Sequence, residues 1–172
     1  MTPPSAWIVR FAPLVPDGGM VLDVACGAGR HTRLMLARGH GVVAVDCDVS
    51  GIADLAAEPR VEIVEADLED GRTSPLADRR FAGVVVTNYL HRPLLAGLVA
   101  AVAEGGVLLY ETFAVGHPGP PANPDFLLRP GELIDAVRGR LEVVAYEHAD
   151  VEAPRRARVQ RLCAVRPRRA LV

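Results

Sequence analysis

A short apolar run that ends on an acid and passes straight into a glycine turn constrains this chain more than any other feature. Residues 21–46 read V-L-D-V-A-C-G-A-G-R-H-T-R-L-M-L-A-R-G-H-G-V-V-A-V-D. Asp23 closes the first run, and Gly27 and Gly29 follow at once. Leu34, Leu36 and Ala37 then fall at helical spacing before Gly39, and a second apolar run, residues 42–45, stops on Asp46. The pattern predicts a strand, a glycine turn, a helix and a parallel strand. In such a unit the glycines let the backbone approach a ligand closely, and the acid closing the second strand can accept hydrogen bonds from a ribose.

A glycine pair after a strand serves several nucleotide-derived ligands, so its surroundings must discriminate. A dinucleotide site wants G-x-G-x-x-G, with the helix N-terminus facing a pyrophosphate. Here the third position is Thr32. Asp23, four residues before the first glycine of the pair, suits a cationic ligand better than a diphosphate, which a carboxylate would repel. The pattern D-x-x-x-G-x-G resembles the first motif of class I S-adenosylmethionine-dependent methyltransferases. Where that family usually has its first glycine this chain has Ala25. One methyl group predicts a slightly tighter turn with binding retained.

The resemblance implies S-adenosylmethionine as cofactor, S-adenosylhomocysteine as product, and a set of binding residues. Asp23, Ala25, Cys26, Gly27, Gly29 and His31 fall at the glycine turn, with Asp23 and His31 toward the cofactor's amino-acid end. Asp46 and Cys47 follow the second strand. Asp67 would accept from the adenine amino group, with the backbone N–H of Leu68 meeting a ring nitrogen, and Asn88 closes the site after the fourth strand. Asp23, Asp46 and Asp67 each close a predicted parallel strand. The resemblance runs from residue 21 to about residue 165, and the glycine-turn helix looks most like small tellurite-resistance-type and related small-molecule methyltransferases. The implied fold is α/β, a three-layer Rossmann-like methyltransferase fold with a mostly parallel sheet and a C-terminal antiparallel hairpin. No N-P-P-Y or D-P-P-Y signature of amino-directed nucleic-acid methyltransferases occurs, since Thr87-Asn88-Tyr89-Leu90 stands in its place.

Elsewhere the order of elements is legible from periodicity. Ser5 is a candidate cap for a short helix carrying Trp7, Ile8, Phe11 and Leu14, which ends at Pro16-Asp17-Gly18-Gly19. Trp7 and Phe11 either pack in the core or line a pocket, and core packing is favoured. Residues 47–55 read as a loop leading into a short capped helix, and residues 61–68 as a third strand. Residues 81–89 form a fourth strand, whose continuous apolar run requires cover on both faces. Residues 94–102 form a helix, residues 107–113 a fifth strand, and residues 130–137 another helix with proline in its first turn. Residues 141–146 and 159–165 read as the terminal hairpin. Residues 114–130, rich in proline and glycine, form a loop expected to act as a lid. Phe126, Leu127 and Leu128 would close over a small acceptor, and specificity would reside there and in residues 88–92.

The whole-chain properties fit one domain, residues 1–172, with an N-terminal helix and turn over residues 1–19. The chain is 50% hydrophobic and 23% charged, enough for a proper core. A formal net charge of -2 gives no broad attraction for nucleic acid, although Arg155, Arg156, Arg158, Arg161, Arg166, Arg168 and Arg169 make the tail locally basic, which reads as a solvated surface. No long apolar run and no leader-like N-terminus occur, so a cytoplasmic location without a membrane partner is expected. Cys26, Cys47 and Cys163 show neither C-x-x-C spacing nor an even disulfide framework; they read as small turn-filling or core residues, and no metal site is expected. Nothing in the sequence sets an oligomeric state.

Methyl transfer from a sulfonium is an in-line displacement that positioning and water exclusion can accelerate, so a base is optional. If one acts, His91 is the first choice, because an unperturbed imidazole exchanges protons near neutrality; Tyr89 would orient an acceptor lone pair. The bland reading of both is a solvated loop, and His117 and His148 carry no constellation. Two other function classes share the glycine turn: a nicotinamide-dependent oxidoreductase, which should show the third glycine, and a non-catalytic cofactor-binding protein.

Overall fold

Seven strands form one sheet in the order β3-β2-β1-β4-β5-β7-β6. The computed structural model describes residues 2–71 and 76–168. The strands are β1 (Met20–Val24), β2 (Gly41–Asp46), β3 (Val61–Glu65), β4 (Phe81–Thr87), β5 (Val102–Phe113), β6 (Glu142–Val151) and β7 (Ala157–Val165). β1 to β5 run parallel, whereas β7 lies antiparallel to both β5 and β6. Helices α1 (Ala6–Phe11), α2 (Arg30–Ala37), α3 (Leu95–Ala101) and α4 (Glu132–Val137) cover its two faces.

Strand periodicity divides the core. Leu22, Val24, Val43, Val45, Val84 and Val86 point to one face, where they meet Leu98 and Val99 of α3 and Leu133 and Val137 of α4. Val21, Val42, Ala44 and Val85 point to the other, against Trp7, Ile8 and Phe11 of α1 and Met35 and Leu36 of α2. Two covered faces explain why the central strands read as unbroken apolar runs.

α1 starts where expected, because the Ser5 hydroxyl accepts from the Trp7 backbone N–H at 3.1 Å. Trp7 and Phe11 are core residues: their rings meet at 4.6 Å, and the Trp7 indole N–H donates to the Leu162 carbonyl at 3.2 Å. Several boundaries differ from the sequence reading. β4 stops at Thr87, since Asn88 adopts a left-handed backbone at φ 54°. β5 begins at Val102, five residues early, with its pairing to β4 irregular between Phe81 and Gly83. After β2 the expected helix is a pair of 3-10 turns, Ser50–Leu55, kinked at Ile52. α4 begins at Glu132 rather than Pro130, because Gly131 takes φ 76° as its cap. Of the basic tail, Arg169 lies outside the described residues.

The loop after β5 is tied down. Arg92 donates to the carbonyls of Asp125 at 2.6 Å and Leu127 at 2.9 Å, and pairs with Glu132 at 2.7 Å. Leu127 and Leu128 are buried, and Leu128 exchanges backbone hydrogen bonds with Phe113 and Val115. Only Phe126 of the expected apolar closing surface faces solvent. An extended bridge between Leu128 and Ala114, the residue after β5, turns Leu128 inward, and burial of two leucines outweighs exposing them to an open cleft.

Candidate functional site

The glycine turn between β1 and α2 lies at the carboxyl end of the parallel strands, beside the end of β2. Ala25, Gly27 and Gly29 all have positive φ, at 52°, 52° and 71°. At Gly27 a Cβ would meet nothing within 4 Å, so the backbone faces open space. At Gly29 a Cβ would stand 2.4 Å from the Ile52 methyl, which fixes glycine there by packing as well as by φ. Ala25, Cys26, Gly27, Thr87 and Asn88 line an open cleft of about 280 Å³ together with Arg30. The alanine is not a neutral replacement, because a left-handed backbone costs an L-residue on the order of 1 kcal/mol.

Asp46 holds this turn. One carboxylate oxygen accepts from the Gly27 N–H at 2.8 Å and the other from the Asp48 N–H at 3.1 Å. Asp46 is only half-buried, so these two bonds fix its direction and leave acceptor capacity for a ligand. Its neighbour Cys47 is exposed, with its thiol raised by the Asp46 carboxylate. Asp67 is exposed just past β3, accepting from the Glu69 N–H at 2.9 Å. Leu68, half-buried, packs its side chain against the core.

Asp23 is different, being 2% exposed and bonded by the Thr32 hydroxyl at 2.6 Å. Burial pushes its carboxyl up to about 6 against the opposing pull of Thr32 and Arg30. A buried carboxylate of this kind gains from any cation brought near it. Thr32, which seemed only the absence of a third glycine, is therefore the residue that fixes the acid.

His31 is also enclosed. Its Nε2 accepts from the Ser5 N–H at 3.1 Å, which leaves the proton on Nδ1, 3.3 Å from the Thr87 hydroxyl. Burial pushes its pKa down to about 3. The imidazole ties the N-terminal cap to α2 and β4, and no ring nitrogen remains for a ligand. Cys26 is buried at the turn, with its thiol pushed up to about 12 by burial, so it serves as a small filler and not a nucleophile.

Asn88 stands in the cleft, but Tyr89 and His91 do not line it. The left-handed turn at Asn88 sends the following residues toward the β3 side. There the Tyr89 hydroxyl is buried beside Glu69 without a well-aligned hydrogen bond; burial first, then Glu69, raises its pKa. His91 Nδ1 lies 3.7 Å from the Glu69 carboxylate. Both residues expected to act on an acceptor thus cluster at the Asp67 end.

Sequence reasoning missed a second group. Glu111, Arg161 and Glu147 sit in register across β5, β7 and β6. Arg161 Nε lies 2.5 Å from Glu111 and Nη1 3.4 Å from Glu147. The first contact is an ion pair whose angles do not meet hydrogen-bond geometry. The signal was present as a single acid, Glu111, inside the apolar run of β5, the same pattern that marks Asp23.

The methyltransferase domain family matches residues 21–106. No curated protein matches the chain in sequence. Among solved structures, TehB from Haemophilus influenzae superposes with a TM-score of 0.76 at 17% identity, over 96% of this chain and 63% of that one. This chain therefore spans less than two thirds of TehB. The Burkholderia thailandensis 1,6-didemethyltoxoflavin-N1-methyltransferase, solved with 1,6-didemethyltoxoflavin and S-adenosylhomocysteine, gives a TM-score of 0.68 at 23% identity, over 94% and 76%. The glycopeptide N-methyltransferase MtfA, complexed with S-adenosylhomocysteine, gives 0.62 at 23% identity, over 92% and 88%. Those identities speak for the fold; the family match, which covers half of the sequence and contains the glycine turn with Asp23, Asp46 and Asp67, shows that the chain belongs to the methyltransferase domain family.

Proposed function

We propose that the protein is an S-adenosylmethionine-dependent methyltransferase acting on a small-molecule acceptor. The observation that carries this reading is the buried Asp23 carboxylate beside a glycine turn whose Gly27 backbone faces open space. A diphosphate would be repelled there, whereas a cationic ligand relieves an acid whose pKa burial has raised. The bound structures of the toxoflavin and glycopeptide methyltransferases support the same cofactor by fold likeness.

The residues present fit the group. In this reading Asp46 accepts from the ribose hydroxyls while the Gly27 and Asp48 amides keep its carboxylate in place. Asp67 and the Leu68 N–H receive the adenine, and Tyr89, with Cys47 and Glu69 near it, walls that end. Ala25, Cys26 and Asn88 line the middle of the cleft. His31 and Thr32 act behind the site, one fixing the N-terminal segment and the other Asp23. When bound, S-adenosylmethionine supplies a methyl group on a cationic sulfur open to in-line attack. The chain's own part is to orient the acceptor and exclude water, with no base required. His91 remains a candidate base only if the loop holding it moves toward the cleft. No described helix is long and apolar enough to cross a membrane, and a cytoplasmic setting belongs to this same reading.

Calorimetric titration tests it. S-adenosylhomocysteine is expected to bind at least tenfold more tightly than NAD. Equal or tighter binding of NAD returns the site to the oxidoreductase reading. Binding of S-adenosylhomocysteine without turnover on any acceptor favours a non-catalytic binding protein.

A further inference from the structure

The cleft at the glycine turn adjoins a second cavity of about 300 Å³ that shares Arg30 and Asn88 with it. The second cavity lies between the N-terminal segment, the ends of β4 and β5, and the turn joining β6 to β7. Most of its wall is apolar, with Phe113, Val151 and Val159 facing inward. Its ionisable lining is three arginines, Arg30, Arg155 and Arg161, against one acid, Glu111.

That imbalance is not neutralised inside the protein. Arg161 is charge-paired with Glu111 and Glu147. Arg155 lies 5.4 Å over the Phe113 ring, and among the described residues no carboxylate stands within ion-pair distance of it. Arg30 donates to the Pro3 carbonyl at 3.4 Å and acts on the Asp23 carboxyl through space, but makes no ion-pair contact among the described residues. Two guanidiniums without an ion-pair contact among the described residues therefore border a mostly apolar cavity that opens toward the place where a cofactor would present its reactive group.

We infer that this cavity is the acceptor subsite and that it takes a small organic carboxylate with an apolar body. The inference rests on the methyltransferase reading and adds the substrate class to it. Phe113, Val151 and Val159 offer an apolar wall for the body, and Arg155 and Arg30 offer planar donors for the carboxylate, the geometry in which guanidinium binds a carboxylate best. An inorganic oxyanion would satisfy the arginines and leave the apolar wall in water. A neutral aromatic would cover the wall and leave both charges unmet. Acceptor choice is thereby assigned to the N-terminal segment and the β6–β7 turn, away from residues 114–130, whose inner end is packed into the core.

The test is calorimetry on the full chain saturated with S-adenosylhomocysteine. The probes are benzoate, 4-hydroxybenzoate and 4-aminobenzoate, their three matching amides, and sodium sulfate. At least one carboxylate is expected to bind tenfold or more tightly than its amide and than sulfate. Arg155→Gln is expected to remove at least fivefold of that preference, while Arg156→Gln, one residue along the same exposed turn, keeps it. Both variants should bind S-adenosylhomocysteine as the parent does and melt at the same temperature. The inference is overturned if the amides match the carboxylates, if sulfate matches them, if no probe binds, or if the two variants behave alike. Failure of S-adenosylhomocysteine itself to bind is a different result, because it removes the methyltransferase reading on which the subsite depends.

Discussion

The two halves of the sheet are built by different means. On the β3-β2-β1-β4 side, Asp23, Asp46 and the glycine turn lie within one strand–turn–helix–strand unit, and each acid stands at or near the end of its own strand. On the β5-β7-β6 side, the structure is assembled from contacts distant in sequence. Trp7 bonds Leu162 across 155 residues, Arg92 holds Glu132 across 40, and Arg161 bridges acids on the strands to either side of it. A local unit fixes its geometry through backbone connectivity, so it reads out as a motif. A remote assembly fixes its geometry only when the sheet closes, and no short pattern records it.

The strongest challenge to this contrast falls on the loop anchored to the remote half. Leu128→Ala should cost about 2–5 kcal/mol of stability, as deletion of a fully buried leucine does, whereas Phe126→Ala, at an exposed position, should stay within about 0.5 kcal/mol. Chemical denaturation of both variants checks this. Two equal, small losses would restore the picture of a mobile lid. Hydrogen exchange offers a second view: the Leu128 amide, bonded to the Phe113 carbonyl at 2.9 Å, should be protected before any ligand is added.

Asp23 probes the local half through pH. Its carboxyl binds a proton more tightly in the folded chain, at about 6, than at its ordinary 3.8. Between those values the native state holds more protons than the unfolded state, so Asp23 makes stability fall as pH rises. The penalty is absent below 3.8, complete above about 6, and worth on the order of 3 kcal/mol. Asp23→Asn should thus be nearly as stable as the parent at pH 4 and more stable at pH 8, as read from denaturation curves at both values. It should also bind S-adenosylhomocysteine more weakly, since the anion is gone. A stability difference that does not grow with pH would show that the acid is solvated or already neutralised.

Asp46→Ala removes the acceptor of the Gly27 and Asp48 amides together with the proposed ribose contact. S-adenosylhomocysteine binding should weaken by roughly 1.5–3 kcal/mol, the scale of hydrogen bonds to a charged group, with the fold retained. An unchanged dissociation constant would remove Asp46 from the ligand site and leave it a purely local brace.

The smallest effect expected is at Ala25. Relief of the left-handed backbone, roughly 1–2 kcal/mol, is offset by about 0.5–1 kcal/mol of added glycine entropy. Ala25→Gly should stabilise the chain by roughly 0.5 kcal/mol and leave cofactor affinity unchanged, as thermal melts with and without S-adenosylhomocysteine will show. Destabilisation would mean that the alanine methyl packs against something the turn needs.

The sequence alone determined the strand–glycine–helix–strand unit, the order of the elements, the terminal hairpin and the acids near the ends of the first three parallel strands, although β3 stops at Glu65 and leaves Asp67 two residues beyond it. It could do so because backbone periodicity, glycine at positive φ and a polar residue ending an apolar run are consequences of local chemistry. Only the tertiary structure decided which way side chains face once a strand ends. The left-handed residue Asn88 carried Tyr89 and His91 to the Asp67 side, burial closed both nitrogens of His31, and the bridge from Leu128 to Ala114 turned the expected lid inward. Arg30, Arg155 and the apolar wall of Phe113, Val151 and Val159 met only when β7 entered between β5 and β6 and the N-terminal segment docked across them. Direction and enclosure are properties of the closed sheet, because they depend on which distant residue occupies the adjoining space.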